Sequence, residues 1–105
     1  MEQFLYQLRP TRPAMLVEGP TEREESIVGE HFAYLQDLVG QGVVLMAGRT
    51  QTTGEETFGI VVYRAESEEA ARGIMEGDPA VANGVMTARL YPFGVALWSE
   101  RGPTA

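Results

Sequence analysis

The chain's only histidine, His31, falls in Glu30-His31-Phe32-Ala33-Tyr34-Leu35-Gln36-Asp37-Leu38, a segment with helical apolar spacing. At about 100° per residue, His31 shares a face with Ile27, Val28, Leu35 and Leu38. Imidazole is the side chain most readily set to move a proton near neutral pH. A histidine turned toward a core is therefore either an acid–base group or a packed residue bonded to a backbone carbonyl. Arg49 is the second candidate. It follows Ala47-Gly48 at the end of an apolar run, where a glycine lets a ligand come close to the backbone. Its guanidinium could hold a carboxylate or enolate through two parallel hydrogen bonds. The plainer alternative pairs it with Glu55 or Glu56 across a hairpin. Tyr6 alternates with Phe4 and Leu8, which makes packing its first role, although its hydroxyl could also orient a ligand. Arg89 and Tyr91 share a strand face and line either a pocket or an interface.

Other chemistries lack their residues. With no cysteine and one histidine, disulfides, thiolate zinc sites and a cysteine nucleophile are excluded, and no metal site is expected. Glycine-rich phosphate loops and the Gly-x-Ser-x-Gly elbow are missing, and no cofactor is implied. The net charge is −7, and all eight basic residues are arginine, so phosphate backbones should repel the chain and no nucleic-acid partner is expected. No apolar run is long enough to span a bilayer, and Met1-Glu2-Gln3 does not open a signal peptide. The expectation is a cytoplasmic protein with no membrane partner. A share of 44% hydrophobic and 22% charged residues marks a folded domain.

The elements that must position these groups follow in order. Gln3 to Arg9 alternates as a strand. Pro10, Pro13 and Pro20 then punctuate a connection expected to hold neither helix nor central strand. Thr21-Glu22-Arg23-Glu24 reads as a capping box opening a helix to about Val39, with Gly40 and Gly42 supplying the stop. The carboxylates Glu22, Glu24, Glu25 and Glu30 read as a solvated helix face. Val43 to Gly48 reads as a strand apolar on both faces, joined through a Gln51–Glu56 loop to a strand from Phe58 to Arg64. Ser67 caps a second helix through Met75, stopped by Gly77-Asp78-Pro79. One helical turn at Ala80–Ala82, the Asn83-Gly84 turn and a strand from Val85 to Pro92 complete the pattern. Gly94 to Trp98 is a further short strand or an extended tail. Met46, Met75 and Met86 read as core filler.

The order is β-α-β-β-α-β, a ferredoxin-like α+β fold with two helices on one face of a four-stranded antiparallel sheet. We expect a single domain over residues 1–98 and a flexible tail over 99–105, frayed from Arg101. The apolar second faces of Val43–Gly48 and Phe58–Val62, taken as central strands, predict burial against a second copy and hence a homodimer.

The run Glu30 to Leu35, Gly42, Leu45-Met46-Ala47-Gly48-Arg49, Ser67-Glu68-Glu69-Ala70-Ala71, Gly77-Asp78-Pro79, Asn83-Gly84 and Arg89-Leu90-Tyr91-Pro92-Phe93 resembles the YCII-related family. Members of that family are similar to dimeric α+β barrel proteins, which include small lactone isomerases. The resemblance implies an active site of a histidine and an aspartate, here His31 and Asp78. A carboxylate that accepts the second imidazole N–H would fix the tautomer and stabilise the imidazolium. An Asx turn before Pro79 is the plainer role of Asp78, and the two roles are compatible. The expected function is elimination or isomerisation beside a carbonyl in a small organic acid, lactone or aromatic-derived substrate. His31 and Asp78 would be catalytic, and Arg49, Gly48 and Tyr6 would bind substrate. A non-catalytic metabolite-binding or dimerising module is the alternative.

Overall fold

The computed structural model describes residues 1–103, whose strands and helices run β1 (Glu2–Pro10), α1 (Ala14–Val17), α2 (Glu22–Gly40), β2 (Val44–Arg49), β3 (Gly59–Ala65), α3 (Glu68–Gly77), α4 (Pro79–Ala82) and β4 (Met86–Pro92). The strands form one antiparallel sheet in the order β2-β3-β1-β4, which is the ferredoxin-like α+β arrangement. Of the expected tail, Ser99 to Gly102 closes a turn through Gly102 N–H to the Ser99 carbonyl, and residues 104 and 105 lie outside the described residues.

The long helix α2 is bounded by the signals visible in its residues. Thr21 Oγ1 accepts from Glu24 N–H, and the Glu24 carboxylate accepts from Thr21 N–H, which completes the capping box. Gly42, at φ +75°, ends the helix: its N–H bonds the Val39 carbonyl and Val43 N–H bonds that of Leu38. This is a Schellman stop, which requires the left-handed conformation at that residue. Gly40, expected to share the stop, is the last helical residue.

Opposite pairs place Phe4, Tyr6, Leu8, Val61, Tyr63 and Leu90 on the helix-covered face. With Leu35, Ala71 and Met75 they form the main core. The row Met46, Val62, Leu5 and Tyr91 crosses the other face, where no helix covers it.

Four expectations change. The run Val43–Gly48 forms not a central strand but the edge strand β2, because β1 inserts beside β3. Its second half, Met46 to Arg49, is consequently exposed, and Met46 at 42% exposure is not core filler, unlike Met75. The proline-punctuated connection does contain a helix, the single turn α1, with Pro13 in a helical conformation at its N-cap. Its short length explains why helical periodicity does not betray it.

The fourth change concerns Glu24, which is buried at 8% exposure instead of lying on a solvated face. Arg12 reaches it from the proline-punctuated segment, donating Nε to Oε2 at 2.9 Å and Nη2 to Oε1 at 2.6 Å. These bonds and the Thr21 N–H hold the Glu24 carboxyl at about 2, well below the usual carboxylate value of 4.5. A depressed folded value means the carboxylate contributes stability above about 4.5 and loses it as pH falls toward about 2. The difference in urea midpoint between the parent protein and Arg12→Met should therefore stay level from pH 7 to about 5 and shrink toward pH 2. A difference that is already gone at pH 4 would refute the pairing.

Candidate active site

Pro79 disfavours helical geometry in the residue before it, so Asp78 leaves α3 at φ −62°, ψ 123°. That conformation makes Asp78 both the C-cap of α3 and the N-cap of α4, and Oδ1 accepts from Ala80 N–H at 3.0 Å. The α4 turn packs against α2 and brings the carboxylate to His31. His31 Nδ1 lies 2.7 Å from Oδ1 and 2.9 Å from Oδ2. From the central strand β1, the Tyr6 hydroxyl donates to Oδ2 at 2.7 Å.

Three donors thus converge on one carboxylate whose residue is fully buried. A carboxylate that accepts all three bonds requires the proton on His31 Nδ1. In the neutral imidazole that tautomer leaves Nε2 without a proton. No buried polar side-chain atom among the described residues lacks a partner, so Nε2, which bonds to nothing in the chain, is reachable from outside. The imidazole is 14% exposed. Burial, and then the adjacent Asp78 charge, push the Tyr6 phenol far above its ordinary value of 10.0, so the hydroxyl keeps its proton and remains a donor. Tyr34, whose phenol rises for the same two reasons, is turned away and donates to the Ile74 carbonyl, tying α2 to α3.

His31 opens onto a cavity of about 750 Å³ between α2, the β2–β3 end of the sheet and the segment carrying α1. Its lining is largely apolar, from Leu8, Met15, Leu16, Val28, Phe58 and Val61. Polar groups are few: His31, Arg49, Glu25, Gln36 and Thr57. Phe32 and Val39, 66% and 51% exposed, stand at its mouth on α2. This combination of apolar walls and a few directed polar groups is typical of small-molecule sites.

Arg49 and Gly48 lie on the strand wall of this cavity. Arg49 is exposed and makes no ion pair among the described residues, so the alternative pairing with Glu55 or Glu56 is not formed. A side-chain carbon built on Gly48 would meet nothing within 4 Å, so the chain itself does not demand glycine there. Both residues also border a shallow cup on the hairpin with Gln51, Thr52 and Thr53, which does not contain His31. Tyr6 is placed differently from the other candidates. Its hydroxyl is engaged by Asp78, and it does not line the cavity. The lining residues Met15, Leu16 and Phe58 carry no sequence signal that separates them from core. Arg89 stacks over Tyr91, 5.5 Å from the ring centroid, on the face opposite the cavity's helices.

Residues 4–93 match the sequence profile of the YCII-related domain. The chain belongs to the YCII-related family. The YCII-related chain is similar in fold to the 5-chloro-2-hydroxyhydroquinone dehydrochlorinase of Burkholderia phenoliruptrix AC1100, solved in complex with 2,5-dihydroxybenzoquinone. The two share 20% identity with a TM-score of 0.63, over 87% of this chain and 93% of that one. No curated protein matches the chain in sequence. Among the described residues, no helix of this YCII-related chain is long and apolar enough to cross a membrane. No group of three or more histidine, cysteine, aspartate or glutamate residues among them could hold a metal ion.

Proposed function

We propose that this YCII-related protein is an acid–base enzyme that eliminates from, or isomerises, a small ring-bearing substrate beside a carbonyl or enol. The observation that carries this reading is the His31–Asp78 pair, 2.7 Å apart, at the wall of an apolar cavity. His31 Nε2 would accept a proton from the substrate carbon next to the carbonyl. The C–H electron pair would form the new double bond, and in an elimination a leaving group would depart from the adjacent carbon with its bonding pair. In a chlorinated hydroxyl-bearing ring, the keto tautomer makes the chlorine-bearing carbon tetrahedral. His31 would then take the proton of a remaining ring hydroxyl, and chloride would leave as the quinone forms. Asp78 would hold Nδ1–H and stabilise the imidazolium, and Arg49 would neutralise negative charge building on the substrate oxygen. The likeness to a dehydrochlorinase solved with a dihydroxybenzoquinone supports a hydroxylated ring as the first substrate class to test.

The test is anaerobic incubation with a chlorinated hydroxyhydroquinone, following chloride release and the quinone absorbance. The parent protein should release chloride, and His31→Ala should not. Binding of the probe with neither chloride release nor solvent-deuterium uptake would reduce the protein to a binding module.

We also propose that it works as a homodimer. The row Met46, Val62, Leu5 and Tyr91 on the face without helices supports this reading: Met46 is 42% and Tyr91 37% exposed, at either side of half-buried Leu5 and buried Val62. Sedimentation equilibrium should return twice the chain mass, and Leu5→Glu should return the single mass. A parent protein that sediments as one chain at all concentrations would remove the proposal.

A further inference from the structure

The proline-punctuated segment between β1 and α2 does more than connect them. Its entry is pinned by Thr11 N–H to the Val85 carbonyl. Arg12 grips the Glu24 carboxylate through two hydrogen bonds and also donates to the Gly19 carbonyl at the segment's far end. Between these anchors, α1 turns Met15 and Leu16 into the cavity, while Val17 faces outward at 66% exposure. Pro10 and Pro20 border the same cavity. Met15 packs with Ile27 and Val85 in a small cluster of its own, separate from the main core, with Leu16, Val28 and Met86 around it. Displacing α1 would therefore reshape the cavity without breaking the core of the sheet.

We infer that Pro10–Pro20 is the specificity strap of this cavity: Met15 and Leu16 set the size of ring it admits, and Arg12–Glu24 holds them at that depth. The inference rests on the cavity being the ligand site, as proposed above. Pro10, Pro13 and Pro20 stiffen the strap, and the bidentate pair tethers it to the capped, rigid start of α2. A wall built in this way has a definite position. Such a wall discriminates by sterics, because a close-packed surface resists an added group more sharply than a mobile one.

The test reads binding rather than turnover, using 2,5-dihydroxybenzoquinone and its 3,6-diethyl and 3,6-diphenyl derivatives with the full chain. Leu16→Ala should bind the diethyl derivative about tenfold tighter relative to the parent quinone, because the shorter side chain leaves room for the added groups. Leu16→Phe should shift the cut-off the other way. Arg12→Met, which substitutes no lining side chain but frees the strap to shift, should also admit the larger rings and blunt the size discrimination. Thermal unfolding confirms that each variant is folded.

If all three variants keep the parental order of affinities, the strap is only structural and the inference falls. If no quinone binds the parent protein, the cavity is not the ligand site and the inference falls with it. If the cut-off moves with Leu16 while the halide assay shows no turnover, the catalytic reading falls and the strap stands.

Discussion

His31→Ala is expected to lower kcat by about 10² to 10⁴, the usual contribution of a positioned general acid or base. In the proposed chemistry Nε2 is the proton acceptor presented to the cavity, with Nδ1 committed to Asp78 at 2.7 and 2.9 Å. Glu25 lines the cavity as well, but nothing buried holds it in place, and it is exposed. The variant should also lose about 1.5–3 kcal/mol of stability, because a charge-assisted hydrogen bond to a buried carboxylate disappears. Single-turnover rates and urea midpoints separate the two effects. Affinity for the quinone probe should change far less than kcat, since one imidazole is a small part of the cavity wall. A variant that keeps its rate within tenfold would remove His31 from the chemistry.

The largest loss of stability is expected at Asp78. Asp78→Ala strands three donors at once: the buried Tyr6 hydroxyl, His31 Nδ1–H and Ala80 N–H. Breaking a buried network of this kind costs about 3–5 kcal/mol, a large part of what a domain of this size possesses. Asp78→Asn keeps the volume, yet its amide must point an N–H₂ at the Tyr6 hydroxyl or at His31. Turned toward His31, the amide would move the imidazole proton to Nε2 and remove the base, at a rate cost as large as that of deleting His31. Tyr6→Phe is the control. It removes one donor, leaves the edge-on packing of the ring against Tyr63 at 5.4 Å intact, and should cost about 1 kcal/mol. Urea midpoints should fall in the order Tyr6→Phe, Asp78→Asn, Asp78→Ala. Nitrogen-15 spectra should report the Nδ1–H tautomer in the parent protein and its loss in Asp78→Asn. Parental stability in Asp78→Ala would show that the network carries no net energy.

Much of this protein was legible from neighbouring residues. Thr21 with Glu24, Ser67 before Ala70, and Gly42 after the helix are signals that act within a few residues, and the structure forms all three as caps or stops. Strand alternation in Phe4, Tyr6 and Leu8 marked the buried face of β1 correctly. The order of the short motifs carried the family.

Other features depended on which elements meet. Strand order made Val43–Gly48 an edge, because hydrophobicity reports burial and not position in a sheet. Glu24 read as solvated because its partner, Arg12, lies across the strap, outside the helical spacing that relates it to its own helix. Tyr6 read as a packed residue whose hydroxyl could also orient a ligand, and it is packed. Its hydroxyl instead meets a carboxylate 72 positions along the chain. His31 and Asp78 are separated by 47 positions, and no local rule aims one at the other. The sequence determined by itself the elements, their ends and the two residue types able to move a proton, since those follow from backbone geometry and side-chain chemistry. Only the tertiary structure decided that Asp78 is sealed beneath His31, that Tyr6 braces it, and that the segment held by Arg12–Glu24 lines the cavity. Those contacts arise from packing α4 against α2 over the sheet.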